Sequence, residues 1–368
     1  MKLKLSFALL LGTVVALSSL PSLAADGAIY TLNNSSSGNA VLVFSRSADG
    51  NISSTGSFAT GGNGPGAGLG SQGALAMDAA NNFLFAVNAG SDNISVFRIG
   101  ANGLRLVDLV PSGGKRPTSL TISRKVLYVL NNGGAVGGSD TIAGFAVGAN
   151  GHLKLIVSGL PLSASSVAPP QIGFNVDGDL LLVTEKTTNN IDIFSVDDDG
   201  VAVGPTVVPS AGQTPFGFAF GKHNEVFVSD AFGGAANAGA VSSYVSNGGT
   251  LRTVSAAAAD KQSAPCWVVL TNDGHFAYTT NTGSGTVSGY SVAFNGALRL
   301  LNADGQTANT GTGSGPVDAA ISNDGRFLLV LAPGTGNIQE FEISLDGSLT
   351  PLAQAPGIPS SASGLVAR

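Results

Sequence analysis

The sequence predicts an all-β fold, a seven-bladed β-propeller with four antiparallel strands in each blade. Three observations carry this. A unit of four short apolar or alternating runs recurs along the chain. Its step of 43 to 53 residues between Pro117, Pro170, Pro215, Pro265, Pro316 and Pro359 is that of a propeller blade. The two chain ends supply complementary fragments of one more unit.

The clearest copy runs from Ala264 to Leu301. Trp267–Leu270 and Phe276–Thr279 are separated by Asn272-Asp273-Gly274. The run Thr286–Val292 follows, then Asn295-Gly296 and Leu298–Leu301. Asp-Gly and Asn-Gly favour positive φ at hairpin turns. The middle of the unit returns from Phe83, Val126, Leu180, Glu225, Phe276 and Phe327, which makes six blades. The first of these opens at Gly73 without the proline. Ala28–Leu32, Ala40–Phe44 and Ile52–Phe58 read as second, third and fourth strands lacking a first. Ser363–Val366 reads as a first strand with nothing after it. Joining the two ends completes blade 7 and removes open sheet edges. No run shows a sustained 3.6-residue period, and no Trp-Asp pair marks the chain as a WD40 ring.

Met1–Ala24 reads as a signal peptide. Lys2 and Lys4 begin it, Phe7–Leu17 is its apolar core, and Ser22-Leu23-Ala24 is a small-residue cleavage site. The apolar part is too short to span a bilayer. Residues 25–368 are then one exported propeller domain, periplasmic or extracellular. Losing two lysines leaves 15 basic against 23 acidic residues, a net charge of −8, so no nucleic-acid partner is expected. The single cysteine, Cys266, excludes an internal disulfide and a cysteine-built metal site. The Asn-x-Ser sequons at Asn33, Asn34, Asn51 and Asn93 matter only in a glycosylating source.

Two stretches invite over-reading. Gly61–Gly73 is glycine-rich, but a strand follows it where a phosphate loop needs a helix N-terminus. It reads as a flexible connection between blades. Asp197-Asp198-Asp199-Gly200 lacks the alternate ligand spacing of a calcium loop and reads as a hairpin turn.

A propeller sorts residues by face. Inter-blade loops and second hairpin turns lie at the top, where ligands usually sit. His152, His223 and His275 all fall in bottom turns. The usual neutral-pH acid–base group is therefore missing from the top, and Cys266 has no evident base. The top-face candidates are few. Glu185 ends an apolar strand where other blades mostly carry asparagine, so it is the candidate acid or base. Arg116 is the second catalytic candidate, steadying developing negative charge. Lys186, Asp230, Asp318, Asn131 and Asn281 are the polar substrate-binding candidates. Phe216 and Trp267 are candidates for a flat wall. No metal ligands cluster and no cofactor-stacking set occurs, so no cofactor is expected.

The segments LVTEKTTNNIDIF, TPFGFAF, CWVVLTNDGHFAYTTNTGSGTVSGYSV and GNIQEFEISLDGSLTPL resemble the lactonase-type seven-bladed propellers. These include 6-phosphogluconolactonase-like proteins and the 3-carboxy-cis,cis-muconate lactonising enzyme. The likeness covers the chain from about Ala28 onward. It implies metal-independent opening or closure of a carboxylated or phosphorylated lactone, with His, Arg and Glu on the top face. Here Thr118-Ser119-Leu120 and Phe216-Gly217-Phe218 stand where histidine is anticipated, and Asn281-Thr282 where Asn-Glu is common. Glu185 and Arg116 remain as analogues. Two functions therefore stay open. One is an exported enzyme acting on an anionic lactone. The other is a non-catalytic ring, expected to be monomeric, that binds a small anion or a protein through its top face.

Overall fold

The structure, a computed structural model, describes residues 27–368. The segment Met1–Ala24 lies outside the described residues. Seven sheets form seven blades. Their inner strands are Leu75–Met77, Pro117–Ser123, Gln171–Phe174, Pro215–Phe220, Pro265–Leu270, Asp318–Ile321 and Ser363–Ala367. Each blade builds outward in chain order by antiparallel pairing, except blade 7, where Ser363–Ala367 adds to Gly27–Leu32. There Tyr30 pairs with Val366 and Thr31 with Leu365. The ring closes through residues from opposite ends of the chain, as the split repeat predicts.

Turn chemistry behaves as the sequence implies: Gly274 and Gly296 take φ of +80° and +83°. One detail differs. The fourth strand of blade 5 is divided, Leu298–Leu300 being followed by Ala308–Asn309 on the same edge. The chain leaves that edge between them through a turn in which Gly305 has φ +81°.

The core lies between blades. Second and third strands are buried on both faces, which explains their near-continuous apolar runs. Phe85, Phe97, Phe194, Phe227 and Phe341 are almost wholly enclosed. Polar groups also tie neighbouring blades. Tyr128 Oη donates to the Gly200 carbonyl of the next blade at 2.8 Å, and Tyr278 Oη to that of Gly347 at 2.8 Å. Tyr128→Phe keeps the ring and leaves that carbonyl without its donor. It is expected to cost about 1–2 kcal/mol, read as a lower urea midpoint at unchanged slope.

Candidate active site at the channel mouth

The residues that end the second strands share one structural task. Asn88, Asn131, Glu185, Asp230 and Asn281 are each 0% exposed. Their side chains bind the third strand of their own blade or the connection arriving from the blade before. Asn88 donates to Ser95 Oγ at 2.8 Å, whose hydroxyl donates to the Thr60 carbonyl at 2.8 Å. Asn131 donates to the Ser112 carbonyl at 3.3 Å. Asn281 donates to Ser288 Oγ at 2.8 Å, and Asp230 accepts from Ser242 Oγ at 2.5 Å.

Glu185 is the longest of this series and reaches furthest. Its carboxylate accepts from the Ser163 amide at 3.1 Å, from Ser163 Oγ at 2.6 Å and from the Thr188 hydroxyl. Asp192 lies beside it and accepts from the same Ser163 amide at 2.9 Å. Burial, then the neighbouring Glu185 carboxyl, pushes the Asp192 carboxyl far above its usual range. The Glu185 side chain has no surface open to solvent. Glu185, the expected acid or base, is thus found enclosed, with its oxygens taken by Ser163 and Thr188. Asn131, Asn281 and Asp230 are enclosed in the same way. Asp318 is spent between blades 6 and 7, accepting from the Ala319 amide at 2.9 Å and the Leu365 amide at 3.1 Å. Burial raises its carboxyl well above the usual range.

Four of the sequence candidates do meet at the mouth. Lys186 Nζ stands 4.6 Å above the Phe216 ring. Phe216 and Trp267 pack with ring centroids 5.2 Å apart at 59°. Burial depresses the Lys186 pKa; the charge of Arg116 adds to the depression, while Cys266 and Asp140 act against it. Neither forms a salt bridge among the described residues. Arg116 Nε is buried without a partner. Arg116 is held with φ +53° immediately before Pro117, an uncommon region for a side-chain-bearing residue. Its amide donates to Asp92 Oδ1 at 2.7 Å and its carbonyl accepts from the Asn132 amide at 2.9 Å. Cys266 completes the group, its thiol pushed up to about 11 by burial and therefore inert.

The glycine-rich connection does more than join blades. Leu69–Gly73 crosses the top of the channel as a strap. The Leu69 amide donates to Ser363 Oγ of blade 7 at 3.1 Å, and Ser71 Oγ to the Thr118 carbonyl of blade 2 at 2.8 Å. Trp267 Nε1 donates to the Ser71 carbonyl at 3.0 Å. The Gln72 amide donates to the Pro170 carbonyl at 3.0 Å. Its side chain pairs with the Val268 backbone of blade 5 at 3.1 and 3.3 Å. Lys186 Nζ also reaches the Gly70 carbonyl at 3.4 Å. Glycine is required where the strap bends, with φ +60° at Gly70 and +78° at Gly73. Sequence reasoning missed Ser71, Gln72, Ser163 and Asp192. Only the strap had a signal, since Ser71 and Gln72 interrupt a glycine run directly before a strand.

The three histidines lie at the opposite face, each beside a carboxylate: His152 with Asp108, His223 with Glu225 and His275 with Asp273. Among the described residues no three His, Cys, Asp or Glu side chains gather as a metal site. No described helix is long and apolar enough to cross a membrane.

Comparison with known proteins agrees with this architecture. The family described as "Lactonase, 7-bladed beta-propeller" matches residues 24–132, 120–220 and 231–363. The structure is similar to that of a periplasmic gluconolactonase of Pseudomonas aeruginosa. Identity there is 20%, coverage is 91% of this chain and 98% of that one, and the TM-score is 0.69. It is also similar to a Bacteroides fragilis protein proposed to be a 6-phosphogluconolactonase. Identity is 22%, coverage 95% and 99%, and the TM-score 0.69. A Lactobacillus plantarum protein aligns at 19% identity, covering 93% and 99%, with a TM-score of 0.74. No curated protein sequence matches the chain. The chain belongs to the lactonase family of seven-bladed β-propellers.

Proposed function

We propose that this chain is an exported, lactonase-like protein whose top mouth receives an anionic lactone. Lys186 and Arg116 pair with its carboxylate or phosphate and stabilise the oxyanion that forms when the ring opens or closes. Phe216 and Trp267 flank the lactone ring. The observation that carries this reading is that the part-buried cations Lys186 and Arg116 form no salt bridge among the described residues, with Arg116 Nε buried without a partner. Holding such charges unpaired is costly, and an anion relieves that cost. Family membership supports the reaction class, and the signal-like N-terminus supports export. Glu185 acts in this reading as a positioning residue: its hydrogen bonds fix Ser163 and Thr188, and with them the chain beside Lys186.

A second reading, a ring that binds an anion without converting it, is favoured by one observation. No imidazole lies at the mouth among the described residues. A pH-stat assay of residues 25–368 on carboxylated, phosphorylated and neutral lactones separates the two. The expected result is saturable turnover of an anionic lactone, with KM raised at least about tenfold in Arg116→Gln and neutral lactones poorly used. Anion-dependent thermal stabilisation without turnover supports the second reading. Neither response removes the mouth as an anion site.

A further inference from the structure

The seam between blades 7 and 1 departs from the seams that follow blades 1, 2 and 5. Tyr30-Thr31-Leu32-Asn33-Asn34 of blade 7 is the counterpart of Tyr128-Val129-Leu130-Asn131-Asn132 of blade 2. Yet Tyr30 makes no bond to the third turn of blade 1 like that of Tyr128 to Gly200 or Tyr278 to Gly347. The difference begins two residues earlier. Phe83, Val126 and Phe276 occupy that position in blades 1, 2 and 5. Each packs on the glycine of the following blade's third turn. A Cβ added at Gly151, Gly200 or Gly347 would lie 2.5, 2.7 or 2.5 Å from them. Blade 7 has Ala28 there, and a methyl group cannot fill the same space. The turn Gly100–Gly103 rests instead on the outer strand, where a Cβ on Gly103 would lie 2.4 Å from the Phe58 ring.

The result is a cleft of about 650 Å³ on the bottom face, between blades 7 and 1. Small-molecule sites are typically about 300–1,000 Å³. Its polar lining is mostly neutral. Asn81, Asn102 and Asn323 come from three separate turns, and none spends its side-chain amide on another described residue. The Tyr30 hydroxyl stands beside Arg368 within the same lining. Phe58 supplies an aromatic surface, and no Asp or Glu lines the cleft. Amides both donate and accept, which suits adjacent hydroxyl groups. An aromatic face suits the C–H side of a sugar ring.

We propose that this cleft is a second ligand site, separate from the channel mouth, for a neutral hydroxyl-rich molecule of mono- or disaccharide size. It stands independently of the lactone reading. The test is isothermal titration of residues 25–368 with glucose, galactose, maltose and lactose. At least one is expected to bind saturably with Kd below about 10 mM. Ala28→Phe, which supplies the bulk found at this position in blade 1, is expected to abolish that binding. Asn102→Ala, on an exposed turn, is expected to weaken it by about three- to tenfold without touching the fold. Anion binding at the channel mouth should be unchanged in both variants. No saturable binding of any of the four sugars overturns the proposal. So does unaltered binding in folded Ala28→Phe or in Asn102→Ala.

Discussion

Lys186→Gln lowers affinity for an anionic ligand at the channel mouth by about 100-fold, while the fold remains intact. Glutamine keeps most of the stem that lies over Phe216 but removes the charge. A charge-assisted pair in a part-buried site contributes about 2–3 kcal/mol when its partner is left without compensation. At 1.4 kcal/mol per decade that is close to two decades. The ammonium is also a cost in the free protein, because burial and Arg116 both disfavour it. The variant should therefore melt no lower than the parent. The two results together distinguish a ligand-binding charge from a structural one. Titration with a phosphorylated aldonic acid, the opened form of a phosphorylated lactone, measures the first. A thermal melt measures the second. Wild-type affinity in the variant removes Lys186 from the site. Affinity of the parent should also fall with added salt, since the interaction is largely electrostatic.

Stability falls as pH rises from about 5 to 9. Several carboxyls are buried as neutral acids. Burial pushes Asp230 up to about 7 and Asp260 up to about 6. It also raises Asp318 and Asp192 well above the usual carboxylate range. In the unfolded chain these groups ionise near pH 4. Between pH 4 and their folded values the folded state therefore holds more protons than the unfolded one. Each such group leaves stability intact below its unfolded pKa and erodes it as pH climbs through the folded value. The loss from Asp230 alone is of the order of a few kcal/mol, since one pKa unit is about 1.4 kcal/mol. A fall in Tm of about 5 °C or more is expected between pH 5 and 9. Asp230→Asn should shrink that fall, because asparagine holds the equivalent place in blades 1, 2 and 5. A Tm that is flat or rising over this range, or a fall untouched by Asp230→Asn, contradicts the account.

The ring itself was legible because blades repeat. A period of 43 to 53 residues, hairpin glycines such as Gly274 and a split last unit leave little freedom in topology. Strand ends were equally clear, with Ala28–Leu32 read and Gly27–Leu32 found. The site was harder. Face assignment brought Lys186, Arg116, Phe216 and Trp267 to the mouth. It could not tell Glu185 from them, because the end of a second strand is at the top in either case. Whether its side chain meets solvent depends on Ser163, 22 residues away and in the previous blade's connection. That contact has no local signature. The strap escaped for the opposite reason. A glycine-rich segment reads as freedom, whereas here backbone carbonyls at Gly70, Ser71 and Gln72 are each claimed by a different element. The calcium-like look of Asp197–Asp199 resolves into a hairpin turn, and the histidines lie on bottom turns, as position in the repeat implies, since neither needs a distant partner.

The strap has one more consequence. A propeller with an open axis would let water and small solutes pass from one face to the other. Here Gln72 bridges blades 2, 3 and 5 across that axis. The strap thus lies in the way of such passage. On the lactonase-like reading proposed above, a product retaining the anionic group would meet Lys186 and Arg116 again on its way out past the strap.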